Sequence, residues 1–284
     1  MESAADILKL DFVSYHTPLD KARLWTRSGD PQQKEQACLL LEGLHHKYSH
    51  ALEIGQEWVL ALLECGREDE AKRVLERIEP LHRNPNEEIL CRWGRLYKDQ
   101  GDRYVPAIGV ADEKQTDDPI MAERYYRLAL TRYDAAYKIR NGHYPGINKA
   151  TLLLIVGTLG PGPFGTQQSK DRQDSAALAQ DLLARRRNWP HDLPDDDIWH
   201  PATEAEAHLL LQHWEESARL YHIAQAQPNF HPQNQESMRR QVQRILHCFR
   251  KIGITNVGPF SDLDAIFPVE GSAKMAGPPG PARA

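Results

Sequence analysis

A helix–turn–helix pattern that recurs about every 34 residues is the feature that most constrains how this chain folds. One copy begins with the apolar run Trp58–Cys65, which reads as a helix that ends at Gly66. A charged turn follows, and Ala71 and Leu75 open a second apolar stripe that Pro80 closes. The pattern predicts two helices that pack antiparallel, since small residues in such positions let neighbouring helices approach closely.

The same pattern occurs elsewhere in register. Ala37 lies 34 positions before Ala71, and Gly101, which is predicted to end a helix, lies 35 positions after Gly66. A last copy comprises residues 205–211 and 214–218 and Pro228. This spacing is typical of tetratricopeptide repeats. We therefore predict an all-α, tetratricopeptide-like helical-hairpin solenoid of about 4–5 helix pairs, whose curvature leaves a concave binding face.

Composition narrows the functional class. The net charge is −5 over 284 residues, whereas general nucleic-acid binders are usually basic, so no nucleic-acid partner is expected. No apolar run is long enough for a membrane span, and the N-terminus lacks the features of a signal peptide, so we expect no membrane partner and a cytoplasmic location. The cysteines Cys38, Cys65, Cys91 and Cys248 form no CxxC pair, which argues against disulfides and structural zinc.

Breaks in the repeat define the predicted domain organisation. A single solenoid domain is expected over residues 1–267, with insertions at about 102–119, 157–173 and 188–197. The Gly/Pro/Ala-rich segment 268–284 is predicted to be a disordered tail, because it has too few apolar residues to bury. The glycine-rich stretch within the second insertion lacks the Gly-Lys-Ser/Thr of a phosphate-binding loop.

Four segments, taken in order, resemble one known family. Residues 90–99 (LCRWGRLYKD) resemble its Gly-Arg-Ile-Tyr-Lys-Asp motif, and residues 122–127 (AERYYR) resemble the helix that follows. Residues 144–154 are similar to its Tyr-(Ser/Pro)-Gly-Ile-Asn helix, and residues 237–242 (SMRRQV) to its closing helix. The family is the tetratricopeptide-repeat central regulatory region, or TRAF-binding domain, of the apoptosis signal-regulating kinases and related mitogen-activated protein kinase kinase kinases, with stand-alone bacterial relatives.

The resemblance covers about residues 20–252 and implies a regulatory role. The resemblance implies a sensor module of stress or immune-type signalling that binds a nucleotide-derived ligand and controls a signalling or effector protein. The kinase motifs themselves are missing from the sequence, which has neither an H-R-D nor a D-F-G sequence. We therefore predict a module that is not an enzyme and has no cofactor. The alternative is a protein–protein scaffold whose concave face grips a peptide or partner helix without any small ligand.

Arg95 and Asp99 are the first candidate binding residues. Arg95 and Asp99 are four positions apart, and Arg92 and Arg95 are three apart. On a helix both spacings place the side chains on the same face. One interpretation is a solvated, salt-bridged surface. The other is an arginine that Asp99 fixes in place, so that its planar guanidinium faces a phosphate or carboxylate.

The run from Tyr144 contributes three further candidates. Its Pro-Gly step predicts a turn, with Asn148 as the cap of the helix that follows. Free N–H groups at such a helix start attract an anion, and Thr151 would lie on the same side one turn later. Asn148 could instead serve as a cap alone, and Tyr144 could stack on a ligand or simply pack.

The last candidates come from two later helices. Thr203 and Glu206 are three positions apart in an apolar helix, and an inward-facing Glu206 needs a partner. Arg239 and Arg240 are predicted to lie near a helix start, where cations are unfavourable, so they either pair with Glu206 or bind an external anion. The predicted ligand-binding set is Arg95, Asp99, Tyr144, Asn148, Thr151, Thr203, Glu206, Arg239 and Arg240. No metal site is predicted, because histidines such as His200 and His208 form no HExxH motif.

Overall fold

The computed structural model describes residues 3–8, 14–81, 84–105, 116–159, 165–190 and 196–268, and these residues form helices and connections with no β-strand among them. The first helices are α1 (Ala4–Leu8), α2 (His16–Thr26), α3 (Pro31–Lys47), α4 (Leu52–Glu64) and α5 (Glu68–Ile78). They are followed by α6 (Glu87–Asp102), α7 (Pro119–Arg140), α8 (His143–Leu159) and α9 (Gly165–Arg185). The last are α10 (Asp196–Leu210), α11 (Trp214–Gln225), α12 (Pro232–Lys251) and α13 (Leu263–Ile266).

Consecutive helices pack in pairs, which confirms the predicted all-α solenoid. The pairs are α2–α3, α4–α5, α6–α7, α8–α9 and α10–α11. The buried apolar residues form two clusters that meet at α6, where Leu90 belongs to one cluster and Trp93 to the other. The equivalent residues Ala37 and Ala71 are both fully buried, as their shared place in the repeat predicts. No helix among the described residues has the length and apolar character needed to cross a membrane.

The turn between α4 and α5 follows the prediction. Gly66 has φ of +69°, a left-handed conformation that ends α4 and that glycine adopts without strain. Three acidic residues, Glu68, Asp69 and Glu70, then occupy the first turn of α5, where negative charge complements the helix dipole. Ile78 is the last residue of α5, and a short 3₁₀ turn that contains Pro80 follows it.

The predicted turn at Pro145-Gly146 is wrong, because both residues lie inside α8. Asn141 makes the turn instead, since its left-handed φ of 54° ends α7. Pro145 is tolerated in the first turn of α8, where a backbone N–H would have no partner within the helix. Gly146 is needed for packing: a Cβ atom there would lie 2.9 Å from Leu182. Asn148 is therefore an interior residue and does not cap α8.

The predicted helix end at Gly101 is also wrong, because α6 continues to Asp102. A Cβ atom on Gly101 would lie 2.8 Å from the ring of Tyr126, so the glycine permits α6 and α7 to approach closely. The predicted insertions are partly helical, since residues 157–159 belong to α8 and residues 165–173 to α9. Residues 106–115, 160–164 and 191–195 of the insertions, and the tail from 269, lie outside the described residues. The single-domain organisation stays a prediction.

Candidate ligand site on the first-helix face

The helices α4, α6, α8 and α10, each the first of its pair, together line one face of the stack, which we call the first-helix face. Helix α12 lies across this face and packs against α8 and α10. At its start, the Gln233 side chain bonds Glu64 at the end of α4. Further along, Arg244 bonds two carboxylates of α6. The chain's own last long helix thus covers part of the surface that the sequence predicts to bind a ligand.

The contact between α6 and α12 is a buried ion pair. The Nε of Arg244 donates to both carboxylate oxygens of Asp102 at 3.0 Å, and its Nη2 also bonds Asp102 and lies 3.2 Å from Asp99 Oδ1. The hydroxyl of Tyr126 donates to Asp102 as well, at 2.8 Å. Burial would raise the pKa of Asp99, yet the guanidinium groups of Arg95 and Arg240 outweigh it and lower that pKa.

Lys98 joins three helices at the centre of this face. Its Nζ donates to Asn148 Oδ1 of α8 at 2.6 Å and to Gln241 Oε1 of α12 at 3.2 Å. Burial, reinforced by the charge of Arg244, lowers the pKa of Lys98 to about 7. The side-chain amide of Asn148 donates back to the carbonyl oxygen of Tyr144, so both of its polar groups are occupied within the protein.

Glu206 faces inward, as predicted, but its predicted partners are wrong. Its carboxylate accepts hydrogen bonds from Thr151 Oγ1 and, at 2.7 Å, from Gln241 Nε2. Burial raises the pKa of Glu206, and these two donors partly offset that effect. Arg239 instead pairs with Asp264 at 2.7 Å and donates to the carbonyl oxygen of Phe267. Two positions on a helix differ by about 200° in direction, so α12 cannot present both Arg239 and Gln241 to the same face.

The remaining predicted residues lie around this network. Arg95 bonds Glu64 of α4, and its Nε lies 3.5 Å from Asp99 Oδ2, so the predicted pair within α6 forms. Tyr144 is about one-third exposed, and its ring meets the edge of Tyr133. Thr203 is buried on α10. The structure thus brings Arg95, Asp99, Asn148, Thr151, Glu206 and Arg240 to the first-helix face and places Arg239 away from it.

The predicted ligand-binding set omits Lys98, Gln241 and Arg244, which connect the network. A signal was available for Arg244, because this charge interrupts the apolar run Val242, Ile245 and Leu246 of α12. A charge on the buried side of an amphipathic helix requires a buried partner of opposite charge. The identity of that partner, Asp102, could not be predicted from the sequence near Arg244, because it lies 142 positions earlier.

Two partly exposed arginines in this region each have a buried Nε–H group without a hydrogen-bond partner in the part of the chain that the structure describes. Among the described residues, no hydrogen-bond acceptor reaches the Nε–H of Arg92 on α6 or that of Arg240 on α12. Arg92 forms its ion pair through Nη2, with Glu88 at 2.7 Å, and the Nε of Arg240 lies 3.6 Å from Glu236, too far for a hydrogen bond. Buried polar groups are nearly always satisfied, so these two donors are open to water or to an acceptor from another molecule.

Two surface cavities lie elsewhere. One of about 360 Å³ is bordered by Trp189, His200 and Glu204, and another of about 290 Å³ by Arg172 and Phe249. Neither is lined by a predicted ligand-binding residue. The histidine face that could suggest a metal places His208 beside His213, with 3.1 Å between their Nδ1 atoms. Among the residues that the structure describes, the group with metal-ligand geometry lies elsewhere, around Cys38 and Cys65.

Replacing Lys98 tests the electrostatics of the network. The unfolded chain binds a proton at Lys98 up to about pH 10.4, whereas the folded chain releases it near pH 7. Over this range the unfolded state holds more protons, so the stability of the native protein should rise with pH relative to Lys98→Met, by ~2 kcal/mol between pH 7 and 9. Urea denaturation of both proteins at several pH values measures this difference. A pH-independent difference would show that Lys98 keeps an ordinary pKa.

Comparison with known proteins gives one match. A family model described as Tetratricopeptide Repeats-Sensor covers residues 32–153, which is the stretch from α3 into α8. The match supports a tetratricopeptide-type sensor domain. No curated protein and no solved structure shows significant similarity to the chain. The matched segment contains Arg92, Arg95, Asp99 and Asn148, whereas α10 and α12, which complete the network, lie beyond it.

Proposed function

We propose that the protein is a non-enzymatic sensor module that binds an anionic, nucleotide-derived ligand on its first-helix face and thereby controls a partner effector in stress or immune-type signalling. The observation that carries the proposal is the pair of buried, unused N–H donors on Arg92 and Arg240. The match of residues 32–153 to a sensor family supports it, as does the resemblance to the regulatory region of the apoptosis signal-regulating kinases.

An anion with several oxygens suits this arrangement. A guanidinium group offers phosphate two parallel hydrogen bonds, and Arg92 and Arg240 present such groups from α6 and α12. Arg95 is close enough to Arg92 for the two charges to repel each other, and an anion between the helices would relieve that repulsion. The exposed ring of Tyr144, which also lies near Arg92, offers a base a surface for stacking.

Helix α12 is the element that would transmit the signal. An anion held by arginines of both α6 and α12 binds more tightly when α12 is docked than when it is displaced. This difference in affinity shifts the population toward the docked state, which is the requirement for coupling a ligand to a distant partner. The partner effector would bind either docked α12 itself or the part of the first-helix face that becomes accessible when α12 is displaced.

A thermal-shift screen with matched variants tests the proposal. The panel contains ATP, AMP, NAD, cyclic nucleotides and ADP-ribose. One class is expected to raise the melting temperature of the native protein. Arg92→Ala and Arg240→Ala should each weaken its binding ~10–100-fold, because each removes charge-assisted hydrogen bonds to the anion. Without ligand, Arg92→Ala should melt within a few degrees of the native protein, since it loses an ion pair within its own helix. Arg240→Ala should melt at a lower temperature than Arg92→Ala, since it also removes a positive charge that faces Asp99.

Arg219→Ala is the control, because Arg219 also forms an ion pair within its own helix, an exposed one with Glu216 on α11, which is not one of the helices of the first-helix face. It should leave the ligand-induced shift unchanged. No shift from any panel member, or a shift that persists in both Arg92→Ala and Arg240→Ala, would contradict the proposed ligand site.

A second candidate function is a protein–protein scaffold. Helix α12 already occupies the first-helix face, which shows that this face accepts a helix, and the partner would then be a helix that displaces it. In that case weakening the α12 contact through Arg244→Ala should strengthen partner binding, whereas Arg92→Ala should leave it unchanged. The two candidates therefore respond to different substitutions.

A further inference from the structure

Two cysteines that are distant in sequence meet between the first two helix pairs. Cys38 lies in α3 and Cys65 directly follows α4, and their Sγ atoms are 3.6 Å apart. Both are free thiols, with Cys38 buried and Cys65 half-buried. The other cysteines, Cys91 and Cys248, are buried elsewhere in the core.

The surroundings shift the pKa values of the two thiols in opposite directions. The hydrogen bond from Cys38 lowers the pKa of Cys65, and the charges of Arg67 and Lys34 act in the same direction. The same bond and the burial of Cys38 raise the pKa of Cys38. Cys65 is thus the more exposed of the two sulfurs and the one whose pKa is lowered, which is the pattern of a redox-reactive cysteine beside a resolving one.

We propose that Cys38 and Cys65 form a reversible disulfide when the protein meets a hydroperoxide. The Cys65 thiolate attacks one peroxide oxygen, the O–O bond breaks, and Cys65 becomes a sulfenic acid while hydroxide leaves and is protonated. Cys38 then loses its proton and attacks Cys65 Sγ, so that the S–S bond forms, the S–O bond breaks and water departs. Two thiols supply the two electrons that reduce one hydrogen peroxide to two waters, and a dithiol reductant reverses the change.

Geometry favours this reaction over metal binding. The two sulfurs need to approach by only about 1.5 Å to reach a disulfide bond length. A carboxylate oxygen of Glu35 completes a group of three ligand atoms within 4.8 Å of one another, but Glu35 is exposed and already bonded to Arg67 at 2.8 Å. Two cations, Arg67 and Lys34, stand beside the sulfurs; they repel a metal ion but stabilise a thiolate.

Peroxide titration of the full chain tests the proposal. After oxidation, free thiols are alkylated under denaturing conditions and the digest is analysed by mass spectrometry. We expect a peptide pair joined through Cys38 and Cys65, while Cys91 and Cys248 remain available for alkylation. In Cys38→Ser, a sulfenic-acid trap should label Cys65, because the resolving thiol is missing. Arg67→Gln should slow the oxidation of Cys65 several-fold, because it removes a charge that stabilises the thiolate.

Three outcomes would overturn the proposal. One is the absence of the joined peptide at peroxide concentrations that oxidise a free thiol. Another is oxidation of Cys91 or Cys248 as fast as Cys65. The third is stoichiometric zinc in the purified protein that protects both Cys38 and Cys65 from alkylation, which would make the cluster a metal site.

Discussion

Replacing Arg244 with alanine is expected to lower the free energy of unfolding by about 3–5 kcal/mol, because it leaves Asp102 buried without the guanidinium group that pairs with it and removes one of the cations around Asp99. The effect should be large since Arg244 and Asp102 are both almost inaccessible to water. Among the described residues, the Tyr126 hydroxyl would be the side-chain donor that remains for Asp102. Urea denaturation at neutral pH measures the loss.

Arg250→Ala is the control for this substitution, because Arg250 lies on the same helix but is exposed. Its effect should stay within about 0.5 kcal/mol. Adding Asp102→Asn to Arg244→Ala should recover part of the loss, since it removes the uncompensated charge. A loss of less than about 1 kcal/mol in Arg244→Ala would mean that α12 does not hold to the first-helix face through this pair.

Gly94→Ala should destabilise the protein by about 1–3 kcal/mol, although alanine is the better helix former. A Cβ atom on Gly94 would lie 2.5 Å from the ring of Tyr133, which is fully buried and has no room to move. The substitution would push α6 away from α7 and disturb Lys98 and Asp99 one turn later. The midpoint of urea unfolding reports this effect.

Gly43→Ala is the matched glycine. Its added Cβ atom would also approach a neighbour at 2.5 Å, but that neighbour is the end of the Leu8 side chain on the short helix α1. A flexible side chain can turn aside, so the gain in helix propensity of about 1 kcal/mol should leave stability unchanged or raised. Equal losses at both glycines would show that ring contact at Gly94 is not the cause.

The fold was predictable because repeats are encoded locally. The 34-residue spacing, the left-handed Gly66 and the small residues Ala37 and Ala71 each report on a neighbouring pair of helices. The predictions at Gly101 and Pro145 were wrong for a common reason. Both residues were interpreted as helix boundaries, whereas Gly101 makes room for a ring across the interface and Pro145 sits in the one helical turn that tolerates it.

The candidate site was only partly predictable. Helix spacing identified the Arg95–Asp99 pair, and the apolar helix around Glu206 indicated that this side chain points inward. It could not reveal that α12 returns to the first-helix face, because the contact of Arg244 with Asp102 joins residues 142 positions apart. The contact between Cys38 and Cys65 could not be predicted for the same reason, because it depends on how two helix pairs stack.

Hydrogen–deuterium exchange, measured with and without saturating nucleotide, tests the central claim most directly. The nucleotide is the member of the ATP, NAD and ADP-ribose panel that gives the largest thermal shift. If an anion joins α6 to α12, backbone amides of α12 and of α6 should exchange more slowly with nucleotide, while those of α3 should not change. Unchanged exchange in α12 at saturation, or protection confined to helices away from the first-helix face, would contradict the account.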